Sequence, residues 1–547
     1  MPSCEQRLQR NSECLGDPLH IGEIMKDFLF ALAKVRRSSC RCCYAFLTVG
    51  TVCAPFALAQ AATTAADPLL FPKDQFTLET ALLETPAGEK KIIYRSYQHI
   101  LYVTKPVDKE YQSLDVKVPV SVDGSNVDAT HAPILFVVGV GGYMAASNYR
   151  KVGPSGAFVG PSEPGGPGGP GGPTFPGAAA TFGGPEAIQN LALAAGYVVV
   201  APGARGRNNK AADGTYYGKA PAAIVDLKAA VRYIRHNAGV LPGNQDWIVS
   251  SGCSAGGGLS ALLGASGNSP LYDSYLKEIG AAEAKDSIFA SGCGSPVTDL
   301  EHADMSYEWA FGASKWRGGA IDAKVSVALK ERFPAYEASL HLIGKNGFGQ
   351  ITVDNLDAYL VQEYLAPSAT NYLQGLSDAQ RAEYLAKNNW LAWDGKMAKF
   401  TYAEYAAEHI TRMKAAPAFD NFNLRSPESN LFGNRTTDAR LYTNFSLQWT
   451  TGNPNARIDP DLQQVVNLMN PMFFIGQKNP DVAAHWWIRH GAIETDSAPT
   501  NTVNLALSLE NLGRDVNVGI YWEAGHCQDL DPQGFIAWIG RITGYKQ

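Results

Sequence analysis

The chain carries no strong charge of either sign. Its formal net charge is −6 over 547 residues, with no basic stripe and no acidic tail. Nucleic-acid binding needs clustered Lys and Arg to neutralise phosphates, so this balance argues against it. Long hydrophobic runs are also missing beyond residue 61, so no later stretch is expected to cross a membrane. Cysteine is scarce beyond the N-terminal region. Six of the nine cysteines precede residue 54, leaving Cys253, Cys293 and Cys527. No His/Cys/Asp/Glu spacing typical of a metal site stands out, and no cofactor is expected.

The first 61 residues read differently from the rest. Lys26, Lys34, Arg36, Arg37 and Arg41 precede an apolar run from Tyr44 to Ala59, and Ala57-Leu58-Ala59 offers a small-residue cleavage site. That is the pattern of a signal peptide, with Met1 or Met25 as its start. Arg36-Arg37 resembles a twin-arginine signal, but the residues after it fit an ordinary basic leader better. Export with release, to the periplasm or the medium, is the expectation. An oxidising compartment permits a disulfide, and three cysteines leave one over.

Buried-type strands are expected at Pro133–Val138, Tyr197–Ala201, Trp247–Ser250 and Ser287–Ser291, since each is a short apolar run. Helical spacing covers Pro221–His236 and continues from the small residues after Ser254 to about Gly264. A Pro/Gly tract, residues 153–184, reads as a surface loop. From about Met305 to Thr443 the chain turns to helical spacing broken by Asn and Gly. Strand-like runs return at Met472–Ile475, Trp486–Ile488 and Val516–Tyr521. Alternating strands and helices give an α/β class with a doubly wound, mostly parallel sheet. The expected division is a leader (1–61), a first core part (62–304), a helical insertion (305–445) acting as a lid, and a second core part (446–547).

Gly252-Cys253-Ser254-Ala255-Gly256 is a G-x-S-x-G pattern between a strand and a helix, the setting of a nucleophile elbow in the α/β-hydrolase fold. Ser254 is therefore the expected nucleophile, and small flanks suit the tight turn. The oxyanion hole needs two backbone N–H groups: one from Ala255, the other from the Gly141-Gly142 turn after the first central strand. Among ten histidines, His526 combines a late position after a strand with a preceding glycine. His302 and His490 are its rivals. The acid should lie after the preceding strand, where Glu494-Thr495-Asp496 offers two carboxylates, and the residues alone leave both open. A disulfide between Cys253 and Cys527 would tie nucleophile to base.

Three segments carry a resemblance. Ser251–Leu271, Pro296–Asp304 and Lys414–Gly433 (KAAPAFDNFNLRSPESNLFG) together resemble bacterial tannases, α/β-hydrolases with a large lid that cleave galloyl esters. The likeness runs from about residue 75 to the end. It implies that Lys414 and Glu428, fourteen residues apart, grip the phenolic hydroxyls of the galloyl ring. It also implies that Glu494 occupies the place of the triad acid and Asp496 that of a further ring contact, although the family pattern there is D-x-D. The Cys-Ser and His-Cys pairs resemble instead fungal tannases and feruloyl esterases, in which they are joined, and imply a Cys253–Cys527 bridge. The expected function is a secreted serine esterase for hydroxylated aromatic esters, foremost galloyl esters. A hydroxycinnamoyl esterase is the nearest alternative; a peptidase of the same fold or a silent binding module are the remoter ones.

Overall fold

The computed structural model describes residues 67–85, 88–149, 184–316, 318 and 321–546. The leader (1–61) lies outside the described residues, as does the Pro/Gly tract except Gly184, which begins a helix.

A ten-stranded sheet organises the chain. Its principal strands are β1 (Thr77–Thr85), β2 (Gly88–Leu101), β3 (Ser113–Val122), β4 (Ile134–Val137), β5 (Val198–Pro202), β6 (Ile248–Cys253), β7 (Ala290–Gly294), β8 (His485–Gly491) and β9 (Asp515–Tyr521). They lie in the order β1-β2-β3-β5-β4-β6-β7-β8-β9, and the two-residue strand Ser125–Asn126 pairs with β3. The run from β5 to β9 is parallel throughout. The first three strands add an antiparallel flank.

Strand β4 shows why the sheet is wound on both faces. All four of its residues are buried, and side chains alternate across a strand. Ile134 and Phe136 enter one core, whereas Leu135 and Val137 enter the other. Helices Ala222–His236, Ala255–Ala265 and Pro499–Asn511 supply the first core; Gly184–Ala194 and Pro532–Thr543 supply the second. Chain order reverses around β4, with β5 on one side and β6 on the other. Such a switch point opens a crevice at the carboxyl ends of the strands.

Between β7 and β8 the chain forms mainly short helices, among them Ala303–Phe311, Val353–Leu360, Asp378–Lys387, Tyr402–Glu408 and Pro427–Leu431. Thr352, Ser377 and Thr401 each close a reciprocal capping box, which satisfies orphan N–H groups at three of these helix starts.

Two expectations need correction. Met472–Ile475 is not a strand: Pro471–Gly476 is helical, with the Asn470 side chain accepting from the Met472 N–H. Asn as cap followed by proline in the first turn starts a helix, and four apolar residues alone do not distinguish the two states. The strand expected at Ser287–Ser291 lies three residues later, at Ala290–Gly294. The antiparallel flank was not anticipated. Its period-2 signal is present in β3, where Leu114, Val116 and Val118 all enter one core.

Candidate active site

Four loops at the carboxyl ends of β4, β6, β8 and β9 converge. Ser254 follows β6 directly and has φ +57°, ψ −127°, a backbone state that non-glycine residues rarely hold. Neighbours enforce it: the Ser254 N–H donates to the Gly294 carbonyl at 3.0 Å, and its own carbonyl accepts from Gly258 and Val297. Two glycines allow the turn to close. A Cβ on Gly252 would stand 2.4 Å from the Gly256 carbonyl oxygen, and one on Gly256 would stand 2.6 Å from that of Val140. The elbow helix Ala255–Ala265 then starts with Ala255, whose N–H belongs to the first turn, where intrahelical acceptors are lacking.

After β4, Gly142 and Tyr143 both have positive φ, folding the backbone back beside the elbow. Arg207 pins this turn. Its N–H donates to the Tyr143 carbonyl at 2.9 Å, and its Nε donates to the Gly142 carbonyl at 2.8 Å.

His526 and Glu494 meet as a dyad. The His526 Nδ1 lies 2.7 Å from Glu494 Oε1. Glu494 is 2% exposed, and the same oxygen accepts the N–H groups of Thr495 and Asp496. Burial pushes the Glu494 carboxyl up, but the charge and hydrogen bond of His526 prevail and hold it below its ordinary value. Burial opposes the imidazolium of His526, yet the charges of Glu494 and Asp496 hold its pKa above the ordinary value. The histidine loop is tied at both ends: Gly525 N–H donates to Gln528 Oε1, and Cys527 N–H donates to Ser295 Oγ. The rivals are engaged differently. His302 pairs with Asp299 at 2.8 Å. His490 is buried against Thr502 and pushed down to about 4 by burial.

Cys253 and Cys527 are joined, with Cα atoms 5.8 Å apart across 274 positions. Because Ser254 and His526 are the chain neighbours of the bonded residues, the bridge holds their two loops together. Cys293 is the buried free cysteine among the described residues.

Beside the dyad, Lys414 Nζ lies 3.8 Å from Asp496 Oδ1 and 4.1 Å from the centroid of the Phe419 ring. Glu428 sits in the first turn of Pro427–Leu431, whose cap Ser426 accepts the Ser429 N–H. Burial raises the Glu428 carboxyl, while the charges of Lys414 and Arg207 pull it back. Arg207 also reaches Asn430 Oδ1 at 3.2 Å, linking the Gly142 turn to the helix of Glu428.

The chain as a whole is similar to several solved structures. A tannase of Fusobacterium nucleatum is 34% identical, with 87% of this chain and 99% of that one covered and a TM-score of 0.71. A tannase from Lactobacillus plantarum is 32% identical over 87% and 99% of the two chains, also at 0.71. A tannin acyl hydrolase solved in complex with ethyl gallate is 33% identical over 87% and 98%, again at 0.71.

The chain belongs to the bacterial tannase family.

It is thus a carboxylic ester hydrolase of the α/β-hydrolase fold. Two further matches agree. The family described as BD-FAE matches residues 179–315. Esterase LipC of Mycobacterium tuberculosis is 43% identical over 58 residues, 11% of this chain and 14% of that protein's length.

In this tannase-family chain, Glu494, Asp496 and His526 offer ligand atoms within 4.8 Å of one another, close enough to hold a metal ion. The Glu494–His526 hydrogen bond uses one nitrogen of the ring and one carboxylate oxygen, which suits proton transfer equally well. Sequence reasoning missed Arg207, with side-chain partners 65 and 223 positions away, and Tyr307, with partners 107 and 188 away, because no local motif announces either.

The bridge gives a testable stability effect. Replacing both cysteines, Cys253→Ser with Cys527→Ser, is expected to lower unfolding free energy by about 2–5 kcal/mol, as for a disulfide closing a long loop. A denaturant titration with an unchanged midpoint would show the bridge to be idle.

Proposed function

We propose that the protein hydrolyses galloyl esters through an acyl-enzyme. Ser254 attacks the ester carbonyl while His526 takes its proton and later returns it to the leaving alcohol. Glu494 orients the imidazole and stabilises its charged form. The N–H of Ala255 and one from the turn at Gly142 donate to the developing oxyanion. Water then repeats the sequence and releases the aromatic acid.

The acyl ring is read by Lys414, Glu428 and Asp496. Carboxylates accept from vicinal phenols, and the lysine donates to them. The carrying observation is the 3.8 Å approach of Lys414 to Asp496, a residue two positions from the acid bonded to His526. Recognition and proton transfer thereby share one loop. The ethyl gallate and 3,4-dihydroxybenzoate named for two relatives support an acyl group of this type. The segment 305–445, which supplies Lys414 and Glu428, is read as the lid.

The leader pattern and the Cys253–Cys527 bridge support export to the periplasm or medium. Among the described residues no helix is long and apolar enough to cross a membrane.

The test compares methyl gallate, methyl ferulate and p-nitrophenyl acetate, an activated ester without a hydroxylated acyl ring. Wild-type kcat/KM should be higher on gallate than on ferulate. Lys414→Met and Glu428→Gln should each lower kcat/KM on methyl gallate by about 10–100-fold, the effect of leaving buried polar groups unpaired. On p-nitrophenyl acetate the change should stay within about 3-fold. The cysteine bridge, which resembles that of fungal feruloyl esterases, favours a hydroxycinnamoyl acyl group as the second reading. Equal or greater activity on ferulate would select it.

A further inference from the structure

Lys414 brings its ammonium beside Asp496, and its placement is imposed by groups outside the site. The Tyr307 hydroxyl, on the helix Ala303–Phe311, donates to the Thr495 carbonyl at 2.9 Å. The same oxygen accepts the N–H of Lys414 at 3.2 Å and that of Met413 at 3.4 Å. A phenol has one proton and two lone pairs, so these three bonds use its whole capacity. Burial pushes the Tyr307 phenol up, and it stays an O–H donor throughout the neutral range.

We propose that Tyr307 is a positioning residue for ring recognition, its hydroxyl fixing the backbone of Lys414 against Thr495 and so setting the spacing between Lys414 and Asp496. The inference rests on the assignment of those two residues to the acyl ring. Thr495 stands between Glu494 and Asp496, so the tyrosine joins two segments that meet nowhere in sequence.

The other sides of Lys414 are held with it. Arg412 donates from Nε to the Lys414 carbonyl at 2.8 Å and from Nη2 to the Ala415 carbonyl at 3.0 Å. Arg412 is fully buried and paired with Glu308, the residue after Tyr307. Its guanidinium lies 5.4 Å from the Tyr307 ring centroid. The lysine is therefore gripped at its N–H by Tyr307 and at its carbonyl by Arg412, which Glu308 of the Tyr307 helix holds in turn. The ammonium then rests on Phe419, whose ring meets Tyr307 edge-on at 6.0 Å and whose N–H donates to buried Asp304 at 2.7 Å. A flexible side chain with a fixed root and a fixed resting face loses little further freedom when a ring binds, which favours preorganised recognition.

The experiment is a double-mutant cycle of Tyr307→Phe with Lys414→Met, read on methyl gallate and p-nitrophenyl acetate. Tyr307→Phe keeps the ring stacked on Phe311 at 4.3 Å and deletes only the hydroxyl. It should raise KM for methyl gallate by about 10-fold with kcat changed less than about 3-fold, the size expected when one hydroxyl's hydrogen bonds are lost. Activity on p-nitrophenyl acetate should stay within about 2-fold. In the Lys414→Met background the gallate effect should vanish, because the tyrosine acts through the lysine. Phe419→Leu, which removes the resting face, should give the same gallate-selective rise in KM and serves if Tyr307→Phe does not fold.

Equal losses on both esters, or a full effect persisting without Lys414, would assign Tyr307 to general stability and overturn the proposal. If Lys414→Met alone leaves the ester preference unchanged, the ring assignment fails and this inference falls with it. If Lys414→Met alters the preference but Tyr307→Phe and Phe419→Leu do not, the positioning inference alone is overturned.

Discussion

Ser254→Ala is expected to reduce kcat on methyl gallate by roughly 10⁴–10⁶-fold, the scale on which removing the nucleophile of a serine hydrolase acts. The size of the loss follows from the absence of a substitute. Ser254 alone occupies the positive-φ position of the turn. The neighbouring Cys253 is bonded to Cys527 and has no thiol to offer. The residual rate would come from the proposed oxyanion donors and ring contacts, which the substitution leaves in place. Product should still bind, so calorimetric affinity for gallate should change by less than about 3-fold while initial rates collapse. A variant retaining more than a tenth of the wild-type rate would remove Ser254 from the mechanism.

Glu494→Gln is expected to lower kcat by roughly 10³–10⁴-fold, since an amide misdirects the tautomer of the histidine and cannot stabilise its charged form. Here the glutamate lies 2.7 Å from Nδ1, and its buried side chain is braced by two backbone N–H groups of its own loop. The variant should also displace the pH profile. In the proposed mechanism His526 works as a base only when neutral, so the rate should rise as pH passes its pKa. The carboxylate raises that pKa, so its removal should move the acidic limb of kcat/KM to lower pH while the plateau falls. Asp496→Asn should behave differently, impairing gallate and sparing p-nitrophenyl acetate. Were the two variants to exchange phenotypes, Asp496 would be the acid.

The pair also has a stability signature. The raised His526 contributes fully below its ordinary value of 6.5 and loses that contribution as pH rises. The depressed Glu494 contributes above its ordinary value of 4.5 and loses it as pH falls. Their joint contribution is therefore greatest between pH 4.5 and 6.5.

Much of the parallel core was legible because its signals are local. A four-residue strand such as Ile134–Val137, buried on both faces, has little choice but an unbroken apolar run. The elbow needs small residues within a few positions of the serine, and they stand in the chain side by side. The helix at Pro471–Gly476 was misread because its evidence lies in the cap, Asn470, rather than in the apolar residues. Likewise, the flank formed by β1 to β3 depends on pairing with β5, which composition does not announce.

The sequence by itself determined the reaction class and its candidate residues: a serine in an elbow, a late histidine, two nearby carboxylates, and a cysteine beside both serine and histidine. Only the tertiary structure showed which carboxylate meets the histidine, Glu494 at 2.7 Å. Glu494 and Asp496 differ by two positions and one methylene, and the choice rests on which oxygen reaches Nδ1. It also brought the Lys414 segment against Thr495 through Tyr307, across separations of 107 and 188 positions. Contacts of that range are set by packing of whole elements, and no local pattern of residues encodes them.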